Sequence, residues 1–438
     1  MKKIATKGVL FSVLHICVGL LFSCKPNSEK PTTVVASQPD NTYAYSLITE
    51  NNGWHILRKD SFMTTLGLNN WPADIFFANN TIYYETGIYS GGAYPTNNYF
   101  YKSCNIDGTN AKHVAFPSHR TYTNGSSDLP FVLEGSTTLY NYSASGYLYQ
   151  QQLNPDGTGI DSPTVLMGYN YFSGKFRTTS SFSPTAQCFI GSGYGFTDVV
   201  EVQNKVVKPY LWTIPGRSDI PFSPTTVFDE SFSKANPQRY RIFGASIGRD
   251  NAHTYYNNPC DIAVHCLMDT AKATNFSYPQ TYYANAILMD TIHYEPTKYV
   301  TQLATGTDDQ NLYVFAINMD KGGTILPASL IVYDKSSFTR KKYIQNIMMP
   351  STISPTTLKS ECKMITVPSK NCLAILFAGK QLVKLDISTG NISEITPTLP
   401  SGVLFGGGFF ENNGRIYSQV AGRTSTSKDY CSNIIYFE

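Results

Sequence analysis

From residue 41 onward, apolar and polar positions alternate over short stretches, the period of a strand with one face buried. Tyr43-Ala-Tyr-Ser-Leu-Ile-Thr49, Trp54-His-Ile-Leu-Arg58 and Leu312-Tyr-Val-Phe-Ala-Ile317 are representative. Turn formers such as Asn51-Asn52-Gly53 and Asn412-Asn413-Gly414 separate the strands, as hairpins require. Helical periodicity is scarce, and an all-β fold is expected.

The pattern also repeats. Phe76-Phe-Ala-Asn-Asn-Thr-Ile-Tyr-Tyr84 matches Phe409-Phe-Glu-Asn-Asn-Gly-Arg-Ile-Tyr417, from opposite ends of the chain. Asn105-Ile-Asp-Gly-Thr109 recurs as Asn154-Pro-Asp-Gly-Thr158, with a looser echo in Asn318-Met-Asp-Lys-Gly-Gly-Thr324. Each lies between two strands, which predicts outer-hairpin turns. A period near 50 residues with four strands per unit is that of β-propeller blades. Seven units fit, beginning near Trp71, Ser127, Phe176, Phe222, Tyr299, Ser360 and Gly402. Residues 42–62 would complete the seventh, pairing the N-terminal strands with the C-terminal ones and hiding the edges 43–49 and 434–437. Eight blades or two β sandwiches are the rival layouts. The fourth unit is long, and Gly244 to Pro259 is its expected surface insertion.

Ahead of this region stands a different pattern. Lys2, Lys3 and Lys7 precede an apolar run of 15 residues, Gly8 to Phe22, in the manner of a secretory signal. That run is short of the roughly 20 residues a spanning helix needs. It closes on Leu21-Phe22-Ser23-Cys24, which resembles a bacterial lipobox, so residues 1–23 are expected to be removed and Cys24 lipidated. Residues 24–40 read as the lipidated cysteine and a flexible tether, and 41–438 as one propeller domain.

Composition changes the picture in two ways. Without residues 1–23 the 34 basic residues fall to 31, matching the 31 acidic ones, and a net charge of zero argues against nucleic acid as a partner. Nine cysteines fall to seven once Cys17 leaves and Cys24 is acylated, an odd number that cannot pair fully. A turn at Pro368 to Asn371 would set Val367, not Cys362, opposite Cys372. Cys260 and Cys266 would be held about 20 Å apart in one strand. Buried free thiols are expected.

Catalytic signatures are absent. The Gly-x-Ser-x-Gly spacing occurs once, as Gly244-Ala-Ser-Ile-Gly248, but no helical pattern follows it to make a nucleophile elbow. Gly191-Ser-Gly-Tyr-Gly195 and Gly406-Gly-Gly408 precede no helix and read as tight turns rather than phosphate cradles. His265 beside Cys266 would face away from it on a strand, which argues against a metal site. Asp128, Asp198, Asp219, Asp229 and Asp308 offer carboxylates with nothing to select a pair.

Surface recognition has more behind it. On the seven-unit layout, the connections between units hold His119, Arg120, Tyr122, Tyr169, Tyr171, Lys175, Arg177 and Arg217. Loops within units on the same side add Tyr89, Tyr94, Arg249, His253 and Arg423. Cations mixed with tyrosines suit a flat, anionic, aromatic ligand through charge-assisted hydrogen bonds and cation–π contacts.

With its lipobox, its Tyr45-Ser-Leu-Ile-Thr49 strand and its Tyr-rich Asp-Gly-Thr hairpins, the chain resembles the lipid-anchored propeller lipoproteins of gut Bacteroidota. The hairpins also look like those of TolB-type propellers, which bind protein partners. No binding residue carries over from either family position by position. The resemblance implies a non-enzymatic lipoprotein that captures a ferric siderophore and passes it to a TonB-dependent outer-membrane receptor. A ferric tris-catecholate carries about −3, which two or three converging cations would balance. The implied location is the outer membrane, on the cell surface or its periplasmic face, as a monomer. No cofactor is expected beyond iron inside the siderophore. A glycan-binding lipoprotein of a carbohydrate uptake system is the alternative, and a protein-assembly scaffold or a hydrolase are further ones.

Overall fold

In a computed structural model the described residues are 50, 52–63, 75–87, 99–114, 130–132, 135–142, 147–154, 164–168, 179–192, 196–203, 206–211, 222–247, 262–269, 274–276, 281–285, 287–293, 298–320, 322–360, 362–400, 403–423 and 429–438. The chain divides into Met1–Tyr45 and Ser46–Glu438, and every described residue belongs to the second unit. The lipobox, Cys24, the tether and the 43–49 strand therefore lie outside the described residues.

The described strands form seven small sheets, antiparallel but for one pair. In chain order they span 75–114, 130–168, 179–211, 222–292, 298–347, 362–394 and 403–437, and are numbered first to seventh here. Their first strands begin at Ile75, Pro130, Thr179, Phe222, Lys298, Cys362 and Val403, within a few residues of the expected unit starts. Within a sheet the strands follow one another up and down. The seventh departs from this, because its outer strand is Trp54–Met63, paired antiparallel with Asp429–Phe437 from Trp54↔Phe437 to Met63↔Asp429.

Turn chemistry sets the register. In the matching segments near 80 and 413, Asn79 and Asn80 (φ +51° and +56°) and Asn413 and Gly414 (φ +51° and +80°) hold the left-handed pairs of tight two-residue hairpins. The two hairpins occupy equivalent places, each joining the first and second strands of its sheet. Phe76 stacks on Tyr83 at 4.9 Å and Phe410 on Tyr417 at 5.0 Å, and Phe77 stacks on Phe410 at 5.3 Å across the two sheets. The Asn105–Thr109 turn is an outer hairpin, joining third and fourth strands. Its echo is not: Asp320–Thr324 joins the second and third strands of the fifth sheet.

The core is layered between sheets. Alternate residues of a middle strand face opposite neighbours, so both sets are apolar and the strand reads as a continuous run. In Asn311–Asp320, Leu312, Val314 and Ala316 pack toward the fourth sheet, while Tyr313, Phe315 and Ile317 pack toward the sixth. Such clusters join the third sheet to the fourth, fourth to fifth, fifth to sixth, sixth to seventh, seventh to first and first to second. Trp54, 1% exposed, belongs to the cluster between the sixth and seventh and donates its Nε1–H to the Ile395 carbonyl at 2.5 Å.

Two further expectations need correction. Gly406 to Gly408 form no turn; they are the extra residues of a bulge inside Val403–Asn412, where pairing jumps from Phe405↔Val420 to Phe409↔Ser418. Residues 244–247 of the expected insertion belong to the strand Arg241–Ile247, and 248–259 lie outside the described residues. The fourth unit is long for a second reason: Thr274–Phe276 and Thr281–Asn285 leave it and extend the third sheet to six strands, with Tyr210 and Leu211 parallel to Ala284 and Asn285.

The cysteines behave as expected where they are described. Val367 stands opposite Cys372 and Cys362 opposite Phe377. Cys104, Cys188, Cys266, Cys362 and Cys372 are free and buried. Among the described residues no helix is long and apolar enough to cross a membrane.

Candidate functional site

Up-and-down order gives each sheet two distinct ends. One carries the turns joining first to second and third to fourth strands and is called the turn end here. The other, the connection end, carries the second-to-third turns and the links from sheet to sheet. Neighbouring sheets align their turn ends. Asn79 accepts from the Gly135 amide at 2.8 Å and donates to the Ser136 carbonyl at 3.0 Å, joining turns of the first and second sheets. Thr366 donates to the Thr307 carbonyl at 2.6 Å, joining the sixth and fifth.

The recognition residues read from the sequence stand, in chain order, between described strand ends. His119, Arg120 and Tyr122 lie between Val114 and Pro130; Tyr169, Tyr171, Lys175 and Arg177 between Gly168 and Thr179; Arg217 between Leu211 and Phe222; Arg249 between Ile247 and Ile262. All nine lie outside the described residues, as do Tyr89, Tyr94 and His253. The flanking strand ends are described, and each stands at the connection end of its sheet. Arg423 closes the strand Arg415–Arg423 at that same end, with its backbone opposite Tyr430.

The link between the fifth and sixth sheets is described in full up to Ser360. Ser354 caps the short helix Pro355–Leu358 by accepting from the Thr357 amide at 3.1 Å. Leu358 is buried beneath it, and Gln302 of the first strand donates to the Lys359 carbonyl at 2.6 Å. Met348, at the start of the link, is 70% exposed.

At the turn end, the fourth and fifth sheets are joined by buried charge. Asp229, fully buried, caps the helix Glu230–Ala235 and receives Lys335 Nζ at 2.5 Å, Arg241 Nε at 2.8 Å and Ser231 Oγ at 2.6 Å. Lys335, 2% exposed, also donates to Ser231 Oγ and to the Asp308 carbonyl. Burial pushes the Asp229 carboxyl up, but the hydrogen bonds from Lys335, Ser231 and Arg241 outweigh it and hold the group below its ordinary 3.8. The Arg241 guanidinium lies 5.1 Å from the centres of both Phe232 and Phe243. Every ammonium proton of Lys335 is committed, so the cluster is an inter-sheet clamp rather than a reactive group.

A groove of about 210 Å³ opens at the turn end between the third and fourth sheets. The turn at Ala186 to Cys188 and residues Glu201, Gln203 and Lys208 form one wall, and Gln238 and Asp269 the other. Lys208 pairs with Glu201 at 2.5 Å, and Tyr240, buried, donates its hydroxyl to the same carboxylate at 3.2 Å. Arg239 holds Asp269 through two bonds of 3.1 Å. Burial raises the Cys188 thiol well above its ordinary range, so it is a protonated apolar floor, not a nucleophile. Sequence reasoning missed this groove, because its residues come from five separate stretches with no fixed spacing. Glutamine where a turn asks for a left-handed residue was the one available signal.

His265 and Cys266 do point apart. Cys266 packs toward the fifth sheet, and the next residue, Leu267, toward the third. Among the described residues no three His, Cys, Asp or Glu side chains are grouped to hold a metal.

No family model and no curated protein matches the chain. Solved structures do. It is similar to the polysaccharide lyase Uly1, with a TM-score of 0.50 at 9% identity over 84% of this chain and 90% of that one. It is also similar to the β-propeller domain of Myceliophteria thermophila Cps50 (Swd1), with a TM-score of 0.41 at 8% identity over 86% and 99%. At such identities a likeness concerns the fold alone. The fold is all-β, built of repeated small antiparallel sheets of the β-propeller kind.

Proposed function

We propose that this chain is a seven-bladed propeller lipoprotein whose connection end captures a ferric catecholate siderophore without chemically altering it. Its second and third sheets would meet to close the ring, completing the six cored junctions already described. Acylated Cys24 would tether it to the outer membrane, where it hands the complex to a TonB-dependent receptor. One observation carries the reading. The strand ends that flank Arg120, Arg177, Arg217 and Arg249, together with Arg423 itself, stand at one end of their sheets. Several cations converging on a trianion are each worth about tenfold in affinity. His119, Tyr122, Tyr169, Tyr171 and Lys175 supply rings and further charge for the catecholate faces.

Titrating the mature protein with ferric enterobactin, followed by quenching of tyrosine and tryptophan fluorescence, tests this directly. Binding at micromolar or tighter is expected, and nothing tighter than millimolar across a catecholate panel overturns it. Replacing Arg120, Arg177 and Arg217 together with Ala should abolish that binding.

The fold likeness to a polysaccharide lyase keeps a second reading, a glycan-binding lipoprotein of a carbohydrate uptake system. Tyrosine platforms stack on sugar faces without cations, so the triple Arg→Ala variant should then bind neutral glycans undiminished.

A further inference from the structure

The turn-end groove between the third and fourth sheets takes no part in that reading. We infer that it is a separate binding site for a neutral polyhydroxylated ligand the size of a single sugar residue. Charge comes first. Lys208 answers Glu201 and Arg239 answers Asp269, so the formal charges in and beside the groove cancel. An anion would have to displace Glu201 from Lys208, and a cation would have to displace Lys208 from Glu201. A neutral ligand meets neither obstacle.

The lining then specifies hydroxyls. Gln187, Gln203 and Gln238 are three of the residues lining a space of about 210 Å³. Each carboxamide both donates and accepts, which matches the paired donor and acceptor of a hydroxyl group. The carboxylates of Glu201 and Asp269 add acceptors in the same walls. The Gln187 Oε1 atom is buried with no hydrogen-bond partner among the described residues. An acceptor buried without a partner gains by turning toward a donor that enters the groove.

Backbone strain points to the same place. Gln187 has φ +58° and Gln238 φ +65°. A left-handed backbone is strained for a residue carrying a Cβ, and Gly or Asn would bear it more cheaply. Asn fills most such positions elsewhere among the described residues, at Asn52, Asn79, Asn80, Asn110, Asn346, Asn371 and Asn413, with Phe338 and Ala378 at two more. At these two turns the chain keeps glutamine, and both glutamines line one groove. Strained backbone that carries a long polar side chain into a groove is a feature of ligand sites.

The test uses the mature chain and the Gln187→Gly and Gln238→Gly variants, which keep the left-handed turns and relieve their strain. The probes are the methyl glycosides of glucose, galactose, mannose and xylose, their disaccharides, and glucuronate, read by saturation-transfer NMR and calorimetry. At least one neutral glycoside should bind at millimolar or tighter. That binding should weaken at least tenfold in each glycine variant, while the unfolding midpoint holds or rises. Glucuronate should not bind. Preference for the methyl glycoside identifies a free monosaccharide, and preference for the disaccharide identifies the terminal residue of a glycan; either supports the site. Silence across the panel overturns it, as does binding unchanged by the glycine variants. A fall in their unfolding midpoint also overturns it, because the glutamines would then be kept for stability. The glycine variants should bind ferric enterobactin as the unaltered chain does, which separates this site from the connection end.

Discussion

At the scale of single residues, burial fixes which groups titrate and when. His265 is fully buried, and burial alone lowers its imidazole from 6.5 to about 4. Between those values the unfolded chain binds a proton that the folded chain refuses. Stability should therefore hold above about pH 6.5 and fall as pH drops toward 4, by up to about 3 kcal/mol. His265→Leu should remove most of that slope, measured as the urea midpoint at pH 7 against pH 4.5. Asp229 works in a lower window, because its folded value lies below the unfolded one and its contribution is lost only as pH falls through it. Lys335→Met leaves Asp229 buried with Arg241 as its one remaining cation among the described residues. The expected cost is about 3 kcal/mol in chemical denaturation.

Turns decide matters at the level of elements. Gly108 has φ +80°, and a Cβ there would lie 2.7 Å from the Leu57 carbonyl oxygen in the outer strand of the seventh sheet. Gly135 has φ +71° with nothing within 4 Å of such a Cβ. Gly135→Ala should cost about 1 kcal/mol for the left-handed backbone alone. Gly108→Ala should cost about 2 kcal/mol more, since the first and seventh sheets must part to admit it. Thermal unfolding of the two variants side by side isolates that clash. Much of this was legible in the strings themselves: Asn-Asn and Asn-Gly pairs named the hairpins, and Pro368 to Asn371 set Val367 against Cys372. The bulge at Gly406 to Gly408 was not, because a glycine run suits a turn and a bulge equally well.

For the molecule as a whole, the strand Trp54–Met63 is the decisive piece. It covers the edge Asp429–Phe437 and sets Trp54 into the core beside Phe405 and Phe437. Trp54→Ala should cost about 3–5 kcal/mol in denaturant unfolding. A chain beginning at residue 64 should expose that edge and aggregate, visible by light scattering during size-exclusion chromatography.

Local order was the sequence's to determine: strand period, hairpin type, unit starts and the pairing of Val367 with Cys372 all depend on neighbours a few residues apart. Tertiary structure alone decided three other things. It sent Thr281–Asn285 across to the third sheet, gathered Asp229, Arg241 and Lys335 into one buried clamp, and enclosed the glutamine-lined groove. Each depends on which faces meet when sheets pack. Periodicity along a strand records that a face is buried, but not what lies opposite it.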